Sequence, residues 1–511
     1  MTEVSWLLLL VSFSAGALAI LYIYFQRVYK YWASKDVKYL QPIFPFGNCK
    51  NLILMQKSMG DVYEEHYASL IDNKFGGIYL LNRPQLIVRD PDLIRTILVK
   101  DFEYFHDHGF IHDETIDPLS GNLFMLEGEK WRNMRTKLSP TFTSGKMKIM
   151  FHTMAECGVE LADYLKVPAK NQEMFEIKDV MAKYTTDVIA SCAFGIKCNC
   201  LKNPDAEFRQ WGRRLTELSL GTIVVNILYI TVPKIAIKMK IPSMPKDTTA
   251  FFRGLVHDTV RYREKNFITR KDFLQLLIQL KNQGYVDGPD ELTNTTNGIT
   301  MDEMAAQVFV FFVAGFETSS TTMSFCLYEL ALNHKIQTRL RIEIDTVLAK
   351  YDGKVTYEAI QEMTYLDKVI SETLRKYPPV SFLARVCTKN YKIPDTNVTI
   401  DKDTEIVIPT QALHYDPLYY YDPQKFDPER FNEKVKNKRH NYVYLPFGEG
   451  PRLCIGMRFG LMQTKIGLVS LLTNYEFHIC HKTVIPLVKD PKQFITTSKG
   501  GIWLKIEKRT V

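Results

Sequence analysis

Residues 447–456 read Phe-Gly-Glu-Gly-Pro-Arg-Leu-Cys-Ile-Gly. Glycines in such a stretch let the backbone pass close to another group. Residues 457–472 are helix-compatible, so a helix starts just after Cys454 and points its first backbone N–H groups at the sulfur. Taken alone, Cys454 reads as a buried structural thiol. The residues around it, and matching segments elsewhere in the chain, change that reading.

The chain has 511 residues, 46% hydrophobic and 24% charged. Such values exclude wholesale disorder, a collagen-like repeat and a multi-span membrane protein. The length is enough to bury a large core. The net charge of +8 is mild. It fits attraction to an anionic membrane surface or an acidic partner, and no dense Lys/Arg tract with interleaved aromatics suggests nucleic acid. Nine cysteines are an odd number at low density. That argues against a disulfide framework and for a reducing compartment. Cys198-Asn199-Cys200 reads as two ordinary thiols, since its spacing is not that of a zinc knuckle.

No charge occurs over residues 4–26. As a helix this run reaches about 34 Å, enough to cross a bilayer. Tyr22, Tyr24, Tyr29, Tyr31 and Trp32 would form the interfacial belt. Arg27, Lys30, Lys35 and Lys38 follow, and only Glu3 precedes, so the positive-inside rule places the remainder in the cytosol. A cleaved signal peptide, with Ala17-Leu18-Ala19 as the cleavage site, is the competing reading; the acidic start and long apolar run argue against it. The chain thus divides into a membrane anchor (1–27), a basic hinge (28–49) with Pro42, Pro45 and Gly47, and one large domain (50–511). That domain is expected to be mainly α with small β-sheets. Helical patterns run over 146–166, 172–194, 250–281, 301–333 and 357–377; strand-like runs lie at 77–88 and 404–408; 282–300 reads as a loop. Residues 222–241 are too short to span a bilayer, and read equally as an interfacial dip beside the anchor or as a buried helix.

The 447–456 stretch resembles the haem-binding loop of the cytochrome P-450 family, Phe-x-x-Gly-x-Arg-x-Cys-x-Gly. Phe447, Gly450, Arg452, Cys454 and Gly456 meet every specified position. Five fixed residues coincide by accident in roughly one such chain in thousands. The resemblance implies haem b (iron protoporphyrin IX) with Cys454 as axial thiolate, Phe447 shielding the sulfur and Arg452 on a propionate. An axial thiolate favours O–O cleavage, and only cysteine supplies it.

Further segments match the family in order. Trp131-Arg132-Asn133-Met134-Arg135 resembles its Trp-x-x-x-Arg segment, with Trp131 and Arg135 aimed at a propionate; Arg385 matches another propionate ligand. Glu372-Thr373-Leu374-Arg375 is similar to the Glu-x-x-Arg pair, which in the family locks to the Arg of a segment matched here by Pro428-Glu429-Arg430-Phe431. Glu372, Arg375 and Arg430 are therefore assigned to folding. Ala314-Gly315-Phe316-Glu317-Thr318 resembles the oxygen-binding kink of the distal helix. There small residues at 314 and 315 would leave room for dioxygen, and Thr318 with Glu317 would relay protons. By matching position, Phe124, Val313, Ala314 and Val380 line the substrate pocket. The resemblance covers the chain from residue 42, with the family's proline-rich hinge reduced to Pro42 and Pro45.

Residues 138–148 and 311–318 look like the drug- and toxin-oxidising clan of microsomal enzymes, and the carboxyl-terminal half looks most like the insect CYP family six. The resemblance implies an NADPH- and oxygen-dependent mono-oxygenase of lipophilic small molecules, xenobiotics such as plant toxins and insecticides. It would sit in the endoplasmic reticulum membrane and receive electrons from a flavoprotein, NADPH-cytochrome P-450 reductase. Lys137, Lys146, Lys438 and Arg439 are candidates for the docking face. A narrow hydroxylase of a hormone or fatty acid and a haem-binding sensor or carrier without turnover are the competing readings; a reductase-independent peroxide-rearranging enzyme is disfavoured by the intact Gly-x-Glu-Thr segment.

Overall fold

The amino-terminal apolar run forms one helix, Glu3–Val28, with Leu10, Phe13 and Ile20 projecting outward rather than into protein. The computed structural model of the chain describes residues 3–110, 112–216, 219–286 and 298–509. Residues 28–49, read from the sequence as a hinge, make contacts with the body. Trp32 is wholly buried, and its indole N–H donates to the Ile78 carbonyl at 3.0 Å. The Tyr79 hydroxyl donates to the Tyr29 carbonyl at 3.0 Å, and Phe25 packs edge-on against Phe44. Aromatic residues expected to sit at the membrane surface therefore also dock the anchor onto the body.

The strands are short: β1 (Phe75–Leu80), β2 (Arg83–Val88), β3 (Met174–Glu176), β4 (Leu383–Val386), β5 (Tyr391–Lys392), β6 (Thr399–Ile400), β7 (Glu405–Ile408), β8 (Tyr475–His478) and β9 (Trp503–Lys508). They form a mixed sheet in the order β1-β2-β7-β4, a second in the order β3-β9-β8, and the pair β5-β6. The strand-like run at 77–88 is thus a hairpin. Helices make up most of the rest, so the mainly α reading with small sheets holds.

Helix boundaries differ from the periodic pattern where an acidic side chain caps an end, from the adjoining residue or from far along the chain. The run over 250–281 is two helices, Lys246–Lys265 and Phe273–Gln283. Asp272 caps the second and pairs with buried Arg263 at 2.6 Å. The run over 357–377 breaks at Met363, and Glu343 accepts from the Tyr365 and Leu366 N–H groups at the new start. The run over 172–194 begins as β3, and Glu176 caps the helix Ile177–Ile189. Most of the loop expected over 282–300 lies outside the described residues.

The central helix, Met301–Leu332, starts with a capping box between Thr300 and Glu303. At about 48 Å it crosses the whole body. Helices Ile177–Ile189, Thr364–Lys376 and Met457–Asn474 pack around it. Gly315 permits the first of these contacts, because a Cβ there would stand 2.7 Å from Ile189 Cδ1.

Glu372 and Arg375 lie on one face of Thr364–Lys376 and are fully buried. Arg375 grips Glu372 through Nε at 2.7 Å and Nη2 at 2.8 Å. It also donates to the carbonyls of His414 and Pro423, while Arg430 Nε stands 3.3 Å from Glu372 Oε1. This network ties the helix to the coil before the cysteine loop. Glu372→Ala leaves a buried guanidinium without its counter-charge. We expect a loss of about 3–5 kcal/mol of stability, read as a fall in denaturant midpoint; an unchanged midpoint contradicts it.

His414 is fixed as a neutral imidazole: Nδ1–H donates to the Arg375 carbonyl at 3.1 Å and Nε2 accepts from the Leu445 N–H at 3.0 Å. Burial, and then Arg375, push its pKa down to about 3. Below the unfolded value of about 6.5 the unfolded chain binds the extra proton, so stability falls as pH drops from there towards 3. The slope reaches about 1.4 kcal/mol per pH unit. His414→Gln should flatten that acid limb; an identical limb in the variant contradicts the assignment.

Candidate active site

The cysteine loop folds back on itself, with the Cys454 N–H donating to the Phe447 carbonyl at 3.0 Å. Gly450 has φ +74°, and a Cβ there would stand 2.0 Å from the Leu98 carbonyl oxygen, so no other residue fits. Helix Met457–Asn474 begins just beyond. Burial raises the Cys454 thiol pKa, while the Gly456 N–H and the Arg135 cation pull the other way. Yet Cys454 is open to solvent. Both are true of a sulfur on the wall of a narrow slot inside the protein. Gly456 has an ordinary φ of −86°, and a Cβ on it would meet no protein atom within 4 Å. Neither backbone nor packing within the described chain demands glycine there; a group seated against the sulfur would.

Three guanidinium groups gather near this slot. Arg385, on β4, is 2% exposed. Its Nη1 donates to the Ala384 carbonyl, its Nε has no partner, and burial pushes its pKa down to about 10. Arg452 donates to the carbonyls of His106, Leu123 and Leu126 and stacks 4.1 Å over the Trp131 ring. Burial, then Arg385, push its pKa down to about 9. Arg135 is held below its ordinary range by burial, with Cys454 opposing. Among the described residues only Asp107, 3.5 Å from Arg452, forms an ion pair with any of the three, and Asp107 is already held by His106 and the Gly128 N–H.

Buried, mutually repelling cations around a clear slot call for more anions than Asp107, the one acid paired with them among the described residues. Haem fits this slot: its metal would take the Cys454 sulfur, and its carboxylates would meet Arg135, Arg385 and Arg452. Trp131 is buried beneath Arg452 and supports that guanidinium, rather than reaching outward beside Arg135. Phe447 packs against the main core.

The segment 314–318 lies beside the helix that follows the cysteine: Gln463 donates to the Gly315 carbonyl at 3.3 Å. Ala314 is exposed although Phe312 and Phe316 around it are buried, so it faces open space inside the body. Gly315 does not share that face; it packs on Ile189, which corrects the expectation that both small residues clear the same space. The Thr318 hydroxyl donates to the Ala314 carbonyl at 2.7 Å. Glu317 points elsewhere. Its Oε1 accepts from Lys178 Nζ at 2.8 Å, and Lys178 also donates to Ser320 and Thr321. Neighbouring positions on a helix do not share a face, so Glu317 opens instead onto a polar cleft of about 230 Å³ lined by Lys178, Asp179, Arg209 and Arg213.

Phe124 is exposed, 5.2 Å from the Phe110 ring and 4.7 Å from that of His108. Val313 and Val380 are half-buried. Sequence reasoning missed Lys178 and His108. His108 donates from Nδ1 to the Phe124 carbonyl at 2.9 Å. Its pKa lies well below the usual range through burial, then Arg385 and Arg452. Neither residue carries a local signal, since their partners are distant in the chain. Of the docking candidates, Lys438 is exposed and Lys137 donates to the Gly298 carbonyl. Arg439 is not a free surface charge: it stacks 4.1 Å from Tyr420 and donates to the Arg430 carbonyl.

Residues 38–504 match the cytochrome P-450 family. The chain is 44% identical over 490 residues to probable cytochrome P-450 6a14 of Drosophila melanogaster, covering 94% of this chain and 96% of that one. It is 43% identical over 500 residues to cytochrome P-450 6k1 of Blattella germanica, covering 96% and 95%, and 43% identical over 493 residues to cytochrome P-450 6a2 of Drosophila melanogaster, covering 95% and 96%. The chain belongs to the cytochrome P-450 family of haem-thiolate mono-oxygenases. Within it, the chain is of the insect CYP family six type, acting with oxygen, lipophilic substrates and a redox partner.

Arg385→Leu removes a buried cation that has no ion-pair partner among the described residues. The haem-free polypeptide should lose no stability, while haem per protein falls several-fold at limiting haem. Full haem content in the variant contradicts the propionate assignment.

Proposed function

We propose that this chain is an NADPH-dependent mono-oxygenase of the endoplasmic reticulum that oxidises lipophilic xenobiotics, such as plant toxins and insecticides. The observation that carries the substrate reading is the character of the pocket candidates. Phe124, Val313, Ala314 and Val380 are all apolar, and Glu317, close to two of them in sequence, is turned towards Lys178. A pocket that selects one hydroxylated hormone relies on placed hydrogen-bonding groups. Phe124 and Phe110 instead offer flat, apolar area suited to planar or bulky molecules.

Haem iron with an axial thiolate supplies oxygen activation. Cys454 is that ligand on this reading, with the Gly456 N–H and Arg135 favouring its anionic form. Arg135, Arg385 and Arg452 would hold the carboxylates of the haem. Ala314 would leave space beside the haem, and the Thr318 hydroxyl, parked on the Ala314 carbonyl, would turn to hand on a proton there. Glu317 collects protons from the polar cleft, and its bond to Lys178 must loosen before its carboxylate reaches the Thr318 face.

Electrons come from NADPH through a flavoprotein reductase docked on the basic surface that includes Lys137, Lys146 and Lys438. The anchor places the body on the cytosolic side. Helices Leu220–Thr231 and Pro233–Lys238 carry exposed Val224, Ile227 and Ile235. Asn82 donates both to the Tyr24 hydroxyl of the anchor and to the Thr231 carbonyl. That apolar patch therefore lies beside the anchor, which supports the interfacial dip over the buried-helix reading.

With reductase in membranes, a mixed panel of plant toxins, insecticides, fatty acids and insect hormones should show NADPH-dependent loss of several xenobiotics; turnover of one endogenous compound alone contradicts the xenobiotic reading. Thr318→Ala should keep consuming NADPH while product per NADPH falls by about tenfold or more. Unchanged coupling contradicts the proton-relay role.

A further inference from the structure

At the far end of the central helix, about 20 Å along its axis from Thr318, the chain turns into helix His334–Ala349. The first turn of that helix rests on β8. Gln337, fully buried, donates from Nε2 to the Phe477 carbonyl and accepts from the Phe477 N–H, both at 3.0 Å. This double bond pins helix to strand. His334, three residues before Gln337, shares its face of the helix. Glu476 and His478 flank Phe477 and, by strand alternation, project together away from the core that takes Phe477.

The ligand atoms of His334, Glu476 and His478 all lie within 4.8 Å of one another. His334 Nδ1 is 3.7 Å from Glu476 Oε1, and the two imidazole rings are 5.0 Å apart. Arg341 holds the other Glu476 oxygen at 2.6 Å, which leaves Oε1 aimed at the histidines. His478 Nε2 is shut from solvent without a hydrogen-bond partner, a costly state for a polar atom. Glu507 stands directly opposite Glu476 in the β8–β9 register, with its Oε2 3.8 Å from His478 Nε2 and its Oε1 on Lys505. Like charges directly opposed across strands destabilise a sheet, and a cation between them offsets that.

We propose that His334, Glu476 and His478, with Glu507 as fourth donor, form a surface zinc site that clamps the start of helix His334–Ala349 to the carboxyl-terminal β8–β9 hairpin. Two imidazoles and carboxylate oxygens are a donor set zinc takes, at about 2.1 Å each in tetrahedral array. Such ligands stand about 3.4 Å from one another, so side-chain shifts of about 1 Å close the set. Arg341 then acts as the outer partner that orients a ligating carboxylate. The site lies away from the haem slot and needs nothing from the oxygenase chemistry.

The test uses the full-length haem-loaded protein in detergent, stripped with chelator and titrated with Zn²⁺ at about pH 8, above the ordinary imidazole range. Calorimetry and the thermal unfolding midpoint are read together. We expect one saturable equivalent with micromolar or tighter affinity and a raised midpoint. His334→Asn and His478→Asn should each weaken this equivalent by at least about tenfold, with the haem absorption spectrum and the metal-free midpoint as in the parent. The absence of saturable uptake at sub-millimolar Zn²⁺, or unchanged uptake in both variants, overturns the proposal.

Discussion

Arg135, Arg385 and Arg452 are held largely out of water around one cysteine, with Asp107 as their single ion-pair partner among the described residues. Buried positive charge of that density is unfavourable in a polypeptide alone. Much of the fold is arranged so that it exists all the same. The loop carbonyls of His106, Leu123 and Leu126 bind Arg452, Trp131 lies beneath it, and β4 carries Arg385 into the interior. The Glu372–Arg375–Arg430 network fixes the coil that leads into the cysteine loop. A flat group with two carboxylates and a metal that takes sulfur resolves the imbalance, and membership of the haem-thiolate family agrees with it.

On the other side of the slot, the polar chemistry is divided between two faces of one helix. Thr318 rests against Ala314 on the open face, while Glu317 is held by Lys178 over a polar cleft. Lys178 thus holds the Glu317 carboxylate away from the face that carries Thr318. On the proposed relay, proton delivery would wait on the loosening of that ion pair.

The residues that were legible in sequence are those whose requirement is local. Gly450 is dictated by its own φ and by the Leu98 carbonyl, and Cys454, Arg452 and Gly456 follow at fixed spacing in the same loop. The long central helix was plain from its apolar pattern, and its start matches the Thr300–Glu303 capping box. What escaped depends on partners far apart in the chain. Lys178 meets Glu317 across 139 positions, and Glu343 interrupts a helical pattern more than twenty residues away. Neither leaves a mark in its own neighbourhood. Prolines and basic residues make 28–49 read as a hinge, and the bonds of Trp32 and Tyr29 to the backbone and side chain of β1 leave no mark in that stretch. Arg439 reads as a candidate for the docking face, and the aromatic faces of Tyr420 and Phe431 that hold it become neighbours only on folding.

The claim on which the rest depends is that the Cys454 sulfur is the axial ligand of a bound haem. The most direct test is the carbon-monoxide difference spectrum of the reduced, full-length protein in membranes, taken beside Cys454→Ser. The account predicts the long-wavelength band of a thiolate-ligated haem in the parent and its disappearance in the variant. A parent spectrum lacking that band, or a variant that keeps it, would contradict the account.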